Sequence, residues 1–159
     1  MCFGDPWEGR VDPRRVADIA SELTAMGCSS ISLGDTIGVA TPGHVRAVLD
    51  TVQAAGVPVG SIAGHFHDTY GQALANVHAA LRAGITEFDT AAGGLGRCPY
   101  AKGATGNLAT EDLVWMLHGL GIRTGIDLDA LVETSRWMAG RVGHPSPSRV
   151  ATALAAACS

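Results

Sequence analysis

The stretch Val59-Gly60-Ser61-Ile62-Ala63-Gly64-His65-Phe66-His67-Asp68 carries an apolar run straight into two histidines and an aspartate. The residues after it decide the fold. Leu74, Val77, Ala80 and Leu81 recur at helical spacing between about Gln72 and Ala83, Gly84 ends that segment, and Ile85 to Thr90 is strand-like. Strand, helix and strand joined by short glycine-marked links read as a βαβ unit, because parallel strands need a crossover of a dozen or more residues. Val59–Phe66 and Ile85–Thr90 are therefore expected as parallel strands, with a helix between them.

The same alternation extends outward. Asp12-Pro13 is an N-cap followed by proline at the first helical position, and Val16, Ile19, Ala20, Leu23 and Met26 form the stripe behind it, up to Gly27. Ser30 to Leu33 reads as a strand closed by Gly34-Asp35-Thr36. Thr41-Pro42 opens a helix in the same way, with Val45, Val48, Leu49 and Val52 inward and Gly56 as its stop. Downstream, a glycine-rich loop runs from Gly93 to Asn107. Thr110-Glu111-Asp112 opens a helix through Leu117, and Asp127-Leu128-Asp129 another to about Arg141. Pro145 and Pro147 break the chain before an alanine-rich helix. The fold class is α/β, and each strand ends in a polar or glycine-rich stretch, the rim where such folds carry their sites.

The chain has 159 residues, 47% of them apolar and 16% charged, which suffices for a core and argues against disorder. A net charge of −4 gives no basic footprint for nucleic acid. No apolar stretch approaches the roughly 20 residues that span a bilayer, and no helix has a strongly basic face, so no membrane role is expected. The N-terminus shows no signal-peptide pattern, and a cytoplasmic location is the expectation. Cys2, Cys28, Cys98 and Cys158 match no zinc, redox or disulfide spacing, and Cys28 reads as a small core residue.

Alternate residues of a strand share a face, so His65 and His67 point one way and Phe66 the other. Two imidazoles so placed suit a divalent cation, with Asp68 as an oxygen ligand or an orienting group; the bland alternative is two histidines in ordinary hydrogen bonds. Cys98 lies between Gly96 and Pro99 in a loop long for a strand–helix link, where a thiol serves as a general acid or base under a lid, or is an inert surface cysteine. Asp35 ends a strand on the same rim and either contacts substrate or bonds to loop backbone. Asn107 turns the chain, caps a helix or ligates a metal.

Three strings carry a resemblance. Ile31-Ser32-Leu33-Gly34-Asp35-Thr36-Ile37-Gly38, then His65-Phe66-His67-Asp68-Thr69-Tyr70-Gly71-Gln72-Ala73-Leu74-Ala75-Asn76, and then Gly94-Leu95-Gly96-Arg97-Cys98-Pro99-Tyr100-Ala101-Lys102-Gly103-Ala104-Thr105-Gly106-Asn107 closely resemble the hydroxymethylglutaryl-CoA lyase family. That family belongs to the TIM-barrel metallolyases. The His-x-His-Asp string is shared across the superfamily, whereas the cysteine loop is specific to the lyase branch.

The resemblance implies cleavage of 3-hydroxy-3-methylglutaryl-CoA to acetyl-CoA and acetoacetate, with Mg or Mn as the divalent cation. It implies His65, His67 and Asn107 as metal ligands, Cys98 and His65 in proton transfer, Asp35 in the substrate pocket, and Gly94, Gly96, Gly103 and Gly106 as the loop's glycines. Arg97 stands where the family usually has glycine, a cation beside Cys98 that favours the thiolate.

A full barrel takes eight strands and typically about 250 residues. The chain is thus expected as a partial (β/α)8 barrel: the tail of strand 5 at Met1-Cys2-Phe3, strands 6 to 8, and C-terminal helices. Residues 1–143 form the half-barrel and 144–159 a helical extension. No segment matches the family's first-strand arginine and aspartate. The expected partners are an acyl-CoA substrate and either further copies of the chain, as a homo-oligomer, or a separate N-terminal half. The alternatives are an inactive, truncated metal-binding fragment and a lyase for a related 3-hydroxyacyl-CoA.

Overall fold

A computed structural model describes residues 1–96 and 106–157. The chain divides into two compact units, whose described parts are 1–89 and, separately, 90–96 with 106–157.

The first unit holds a parallel sheet of β1 (Ile31–Asp35), β2 (Ile62–Phe66) and β3 (Glu87–Asp89), in that spatial order. Its helices are α1 (Pro13–Ala25), α2 (Pro42–Ala54) and α3 (Ala73–Arg82). α1 begins where the sequence places it: the Asp12 carboxylate accepts from the Arg14 amide at 2.9 Å, and Pro13 follows. Thr41 is extended before α2 but makes no side-chain cap, so Pro42 alone marks that start. Val45, Val48, Leu49 and Val52 are buried, as their spacing requires, each worth roughly 1.5–3 kcal/mol of transfer free energy.

Several expectations need correction. Val59–Ser61 is a turn of 3-10 helix rather than strand, because the Ser61 amide and hydroxyl both donate to the Pro58 carbonyl, at 3.0 and 2.8 Å. Ile85 is buried, but its amide donates to the Ala80 carbonyl at 3.1 Å to close α3, so strand pairing starts only at Glu87. The stripe on α1 is buried at Val16 and Ala20, whereas Ile19 and Met26 are 51% and 80% exposed. Ile19 opens on a cavity of about 310 Å³ lined also by Cys2, Leu23, Ile31 and Leu33, at the outer edge of the sheet. Residues 1–3 form no strand; the Cys2 amide donates to the Gly34 carbonyl at 2.9 Å, and Phe3 packs its ring 5.9 Å from that of Phe66. Cys28, expected in the core, is exposed, since the chain leaves α1 through Gly27 at φ +93° before reaching β1.

The second unit is helical: α4 (Thr110–Gly119), α5 (Leu128–Val142) and α6 (Arg149–Ala157) pack on one another. The Asp127 carboxylate caps α5 through the Ala130 amide at 3.1 Å, and Gly143 at φ +75° ends it. Asp112 ties α6 to α4: its carboxylate accepts from the Ser148 hydroxyl at 2.7 Å and the Val150 amide at 2.9 Å, while Ser148 Oγ accepts from the Ala151 amide at 3.0 Å. Among the described residues no helix is long and apolar enough to cross a membrane.

Candidate active site

In a parallel sheet, residues in register project to the same face. Gly34, His65 and Asp89 share one row, and Ser32, Ala63 and Glu87 another, all on the face away from Leu33, Phe66 and Phe88. The two imidazole rings lie 5.0 Å apart between centroids, edge to face, which places His67 next to His65 as the period of two requires. His65 Nδ1 pairs with Asp89 Oδ1, and the Ser32 hydroxyl donates to Asp89 Oδ2 at 3.1 Å. Asp68 turns the other way along the chain and accepts from the Ala73 amide at 2.9 Å, fixing the entry to α3.

The sequence left Asp35 two roles, and the structure displays the loop bond. The carboxylate is buried on the face of Leu33 and Phe66, opposite His65, and accepts from the amides of Val39 and Ala40 at 3.0 and 3.1 Å. Burial pushes its carboxyl up to about 6, against the pull of those amides. Asn76, also fully buried, donates to the Ala40 carbonyl at 3.0 Å and so braces the same loop from α3. Gly38 completes it: at φ +70°, any Cβ there would lie 2.5 Å from Thr69 Oγ1.

In the second unit, Asn107 donates its amide hydrogens to the Leu95 carbonyl at 2.7 Å. That bond settles which way the amide points, and leaves Asn107 Oδ1 buried without a hydrogen-bond partner among the described residues. Gly96 is shaped to this side chain, since a Cβ at its φ of +104° would stand 2.6 Å from Asn107 Nδ2. A Cβ at Gly94, whose φ is +63°, would similarly lie 2.8 Å from Pro147 Cγ, and Gly106 takes φ +99°. Arg97, Cys98 and Gly103 lie outside the described residues.

Sequence reasoning missed two acidic residues. Asp89 was legible in principle, being the last polar residue of the third strand, one alternation beyond Glu87. Glu111 was read as part of a helix start, yet it is fully buried: it accepts from the Gly93 amide through both oxygens, at 2.9 and 3.0 Å, and from the Ser135 hydroxyl. Burial pushes its carboxyl above the usual range.

In the first unit the two neighbouring imidazoles are donors that suit a divalent cation. Among the described residues no cluster of three or more His, Cys, Asp or Glu side chains is arranged to hold a metal ion.

Helices crossing between parallel strands, with imidazoles at a strand's C-terminal end, define an α/β fold with its candidate site on the strand ends. Residues 1–138 match the HMGL-like family model, and the chain belongs to that family. It is 54% identical over 154 residues to the 3-hydroxy-3-isohexenylglutaryl-CoA/hydroxy-methylglutaryl-CoA lyase of Pseudomonas aeruginosa, covering 97% of this chain and 51% of that protein. It is 53% identical over 152 residues to the mitochondrial hydroxymethylglutaryl-CoA lyase of Mus musculus, covering 96% and 46%. The crystal structure of hydroxymethylglutaryl-CoA lyase from Pseudomonas aeruginosa superposes with a TM-score of 0.93 at 53% identity, over 98% of this chain and 52% of that one. The chain thus spans about half the length of these relatives, and its three-stranded parallel sheet is consistent with part of their barrel.

Proposed function

We propose that this chain forms the C-terminal half of a metal-dependent carbon–carbon lyase that cleaves 3-hydroxy-3-methylglutaryl-CoA to acetyl-CoA and acetoacetate. The observation that carries this reading is the side-by-side pair His65 and His67 at the C-terminal end of β2, in a chain whose relatives are named as such lyases. In this reading β1, β2 and β3 are strands six to eight of a barrel, and the other strands come from a separate N-terminal half or from association of further copies.

His65 and His67 would hold a divalent cation, Mg or Mn, and the family resemblance adds the Asn107 oxygen as a donor. When bound, such a cation polarises the substrate's hydroxyl and carboxylate oxygens as a Lewis acid. His65 accepts the proton of the C3 hydroxyl in the state in which its lone pair is not engaged by the cation. The C2–C3 bond then breaks: C3 becomes the ketone carbon of acetoacetate, and the electron pair stays on C2 as the enolate of acetyl-CoA. The Cys98 thiol delivers a proton to C2, and passage of the proton from His65 to the thiolate restores the starting state. Asp35 contributes by holding the loop of residues 38–40 through its two amide hydrogen bonds.

The test is acetoacetate release from the chain supplied with Mn²⁺ and hydroxymethylglutaryl-CoA. It is run alone and with a polypeptide spanning the half of the Pseudomonas aeruginosa relative that this chain does not match. Activity abolished by Cys98→Ser supports the proposal. Inactivity in both arms, with 3-hydroxy-3-isohexenylglutaryl-CoA as well, refutes it; turnover of that substrate alone assigns the related lyase.

A further inference from the structure

The face of the sheet that carries His65 also carries a carboxylate with no assigned role. Asp89 stands directly across from His65 in the register of β2 and β3. Its Oδ1 pairs with His65 Nδ1, and its Oδ2 accepts from the Ser32 hydroxyl at 3.1 Å, a bond that spans from β1 to β3 over the central strand. Both oxygens are thus engaged by donors, one on each of the other two strands. A rotation of the carboxylate would break one of the two contacts.

The consequence lies at the other ring nitrogen. A neutral imidazole carries one N–H, and a carboxylate accepts but does not donate, so the hydrogen of His65 belongs on Nδ1. Nε2 is then a lone pair, available to a cation or to a proton. We propose that Asp89, held by Ser32, is the positioning residue that fixes the Nδ1–H tautomer of His65 and presents Nε2 to the chemistry. Metal-bound histidines commonly donate their second N–H to a carboxylate in this way.

A purely structural reading of the same contact predicts something different. His65 and Asp89 side chains are 30% and 57% exposed, and an ion pair so open to water adds little to stability. Its removal would then leave both the fold and the ring's tautomer unchanged. The coordination half of the proposal rests on the lyase reading above, whereas the tautomer half stands on the sheet alone.

The experiment is long-range ¹H–¹⁵N correlation spectroscopy of the full chain, ¹⁵N-labelled at histidine, at about pH 8.5, well above the usual imidazole range. Wild type should show His65 as the Nδ1–H tautomer. Asp89→Ala should shift it toward Nε2–H, and Ser32→Ala should do so in part, with circular dichroism confirming that each variant is folded. An Nε2–H tautomer in wild type overturns the proposal without recourse to any variant, as does an unchanged tautomer in folded Asp89→Ala.

Mn²⁺ titration followed by electron paramagnetic resonance separates the two halves. Binding weakened about 10- to 100-fold in Asp89→Ala supports the coordination role. Equal affinity in wild type and variant overturns it. No binding by wild type, either alone or with the half of the Pseudomonas aeruginosa relative that this chain does not match, and with the tautomer as expected, refutes the lyase metal site and supports Asp89 as the residue that orients His65.

Discussion

Glu111 reaches back from the first turn of α4 to accept the Gly93 amide with both carboxylate oxygens, at 2.9 and 3.0 Å. Ser135 of α5 adds its hydroxyl, and Ser146 donates to the Gly93 carbonyl at 3.0 Å. The start of the glycine-rich segment is therefore held by a fully buried acid in addition to its own backbone bonds, from the Gly94 amide to the Ala91 carbonyl and from the Leu95 amide to the Ala92 carbonyl.

Replacing that acid should cost stability. Glu111→Ala leaves the Gly93 amide and the Ser135 hydroxyl buried without an acceptor, and each such loss costs about 1–3 kcal/mol. Glu111→Gln keeps one acceptor oxygen and should lose less. Urea denaturation of the two variants checks the order; equal loss would show that the charge, not acceptor capacity, matters.

Asp35 should make stability fall as pH rises through weakly acid solution. Its folded carboxyl titrates at about 6 against an ordinary 3.8, so between those values the folded chain holds more protons than the unfolded one. The contribution is fully present below about 4, declines by at most about 1.4 kcal/mol per pH unit, and levels off above about 6. Denaturation midpoints measured across that window should show this slope in wild type and lack it in Asp35→Asn. A slope unchanged by the substitution would assign it to another group.

Gly96→Ala should disturb Asn107. The new methyl would meet Asn107 Nδ2 at 2.6 Å and sit on a backbone at φ +104°, which L side chains rarely adopt. If the Asn107 oxygen serves a cation, Mn²⁺ affinity of the chain should fall along with stability. Loss of stability without loss of Mn²⁺ affinity would remove Asn107 from the ligand set.

Asp112→Ala should release α6. The helix start relies on Asp112 for the Ser148 hydroxyl and the Val150 amide, and loss of such a capping group costs about 0.5–2 kcal/mol. Amide hydrogen exchange over residues 149–157 should quicken while that of β2 stays as in wild type. Uniform acceleration along the chain would point instead to global destabilisation.

Much of this was legible in the chain. The alternation of apolar runs, prolines and glycines is local information, and it placed β1 to β3 and α1 to α5 to within a few residues and put α6 after Pro147. The proximity of His65 and His67 follows from the pleat of one strand. The misplacements have local causes of another kind: Ser61 finds a carbonyl three residues back, and the Ile85 amide is already taken by Ala80. Ile19 and Cys28 are apolar in type, but their exposure depends on what covers α1 and its exit.

The sequence by itself determined the α/β alternation, the imidazole pair and the family, because each resides in a short string or a fixed period. Only the tertiary structure decided what the acids do. Asp35 and His65 occupy opposite faces of one sheet, Asp89 meets His65 across 24 positions and Ser32 across 57, and Glu111 is buried under Gly93. Register between strands and burial of a carboxylate are set by long-range packing, and no local pattern encodes them.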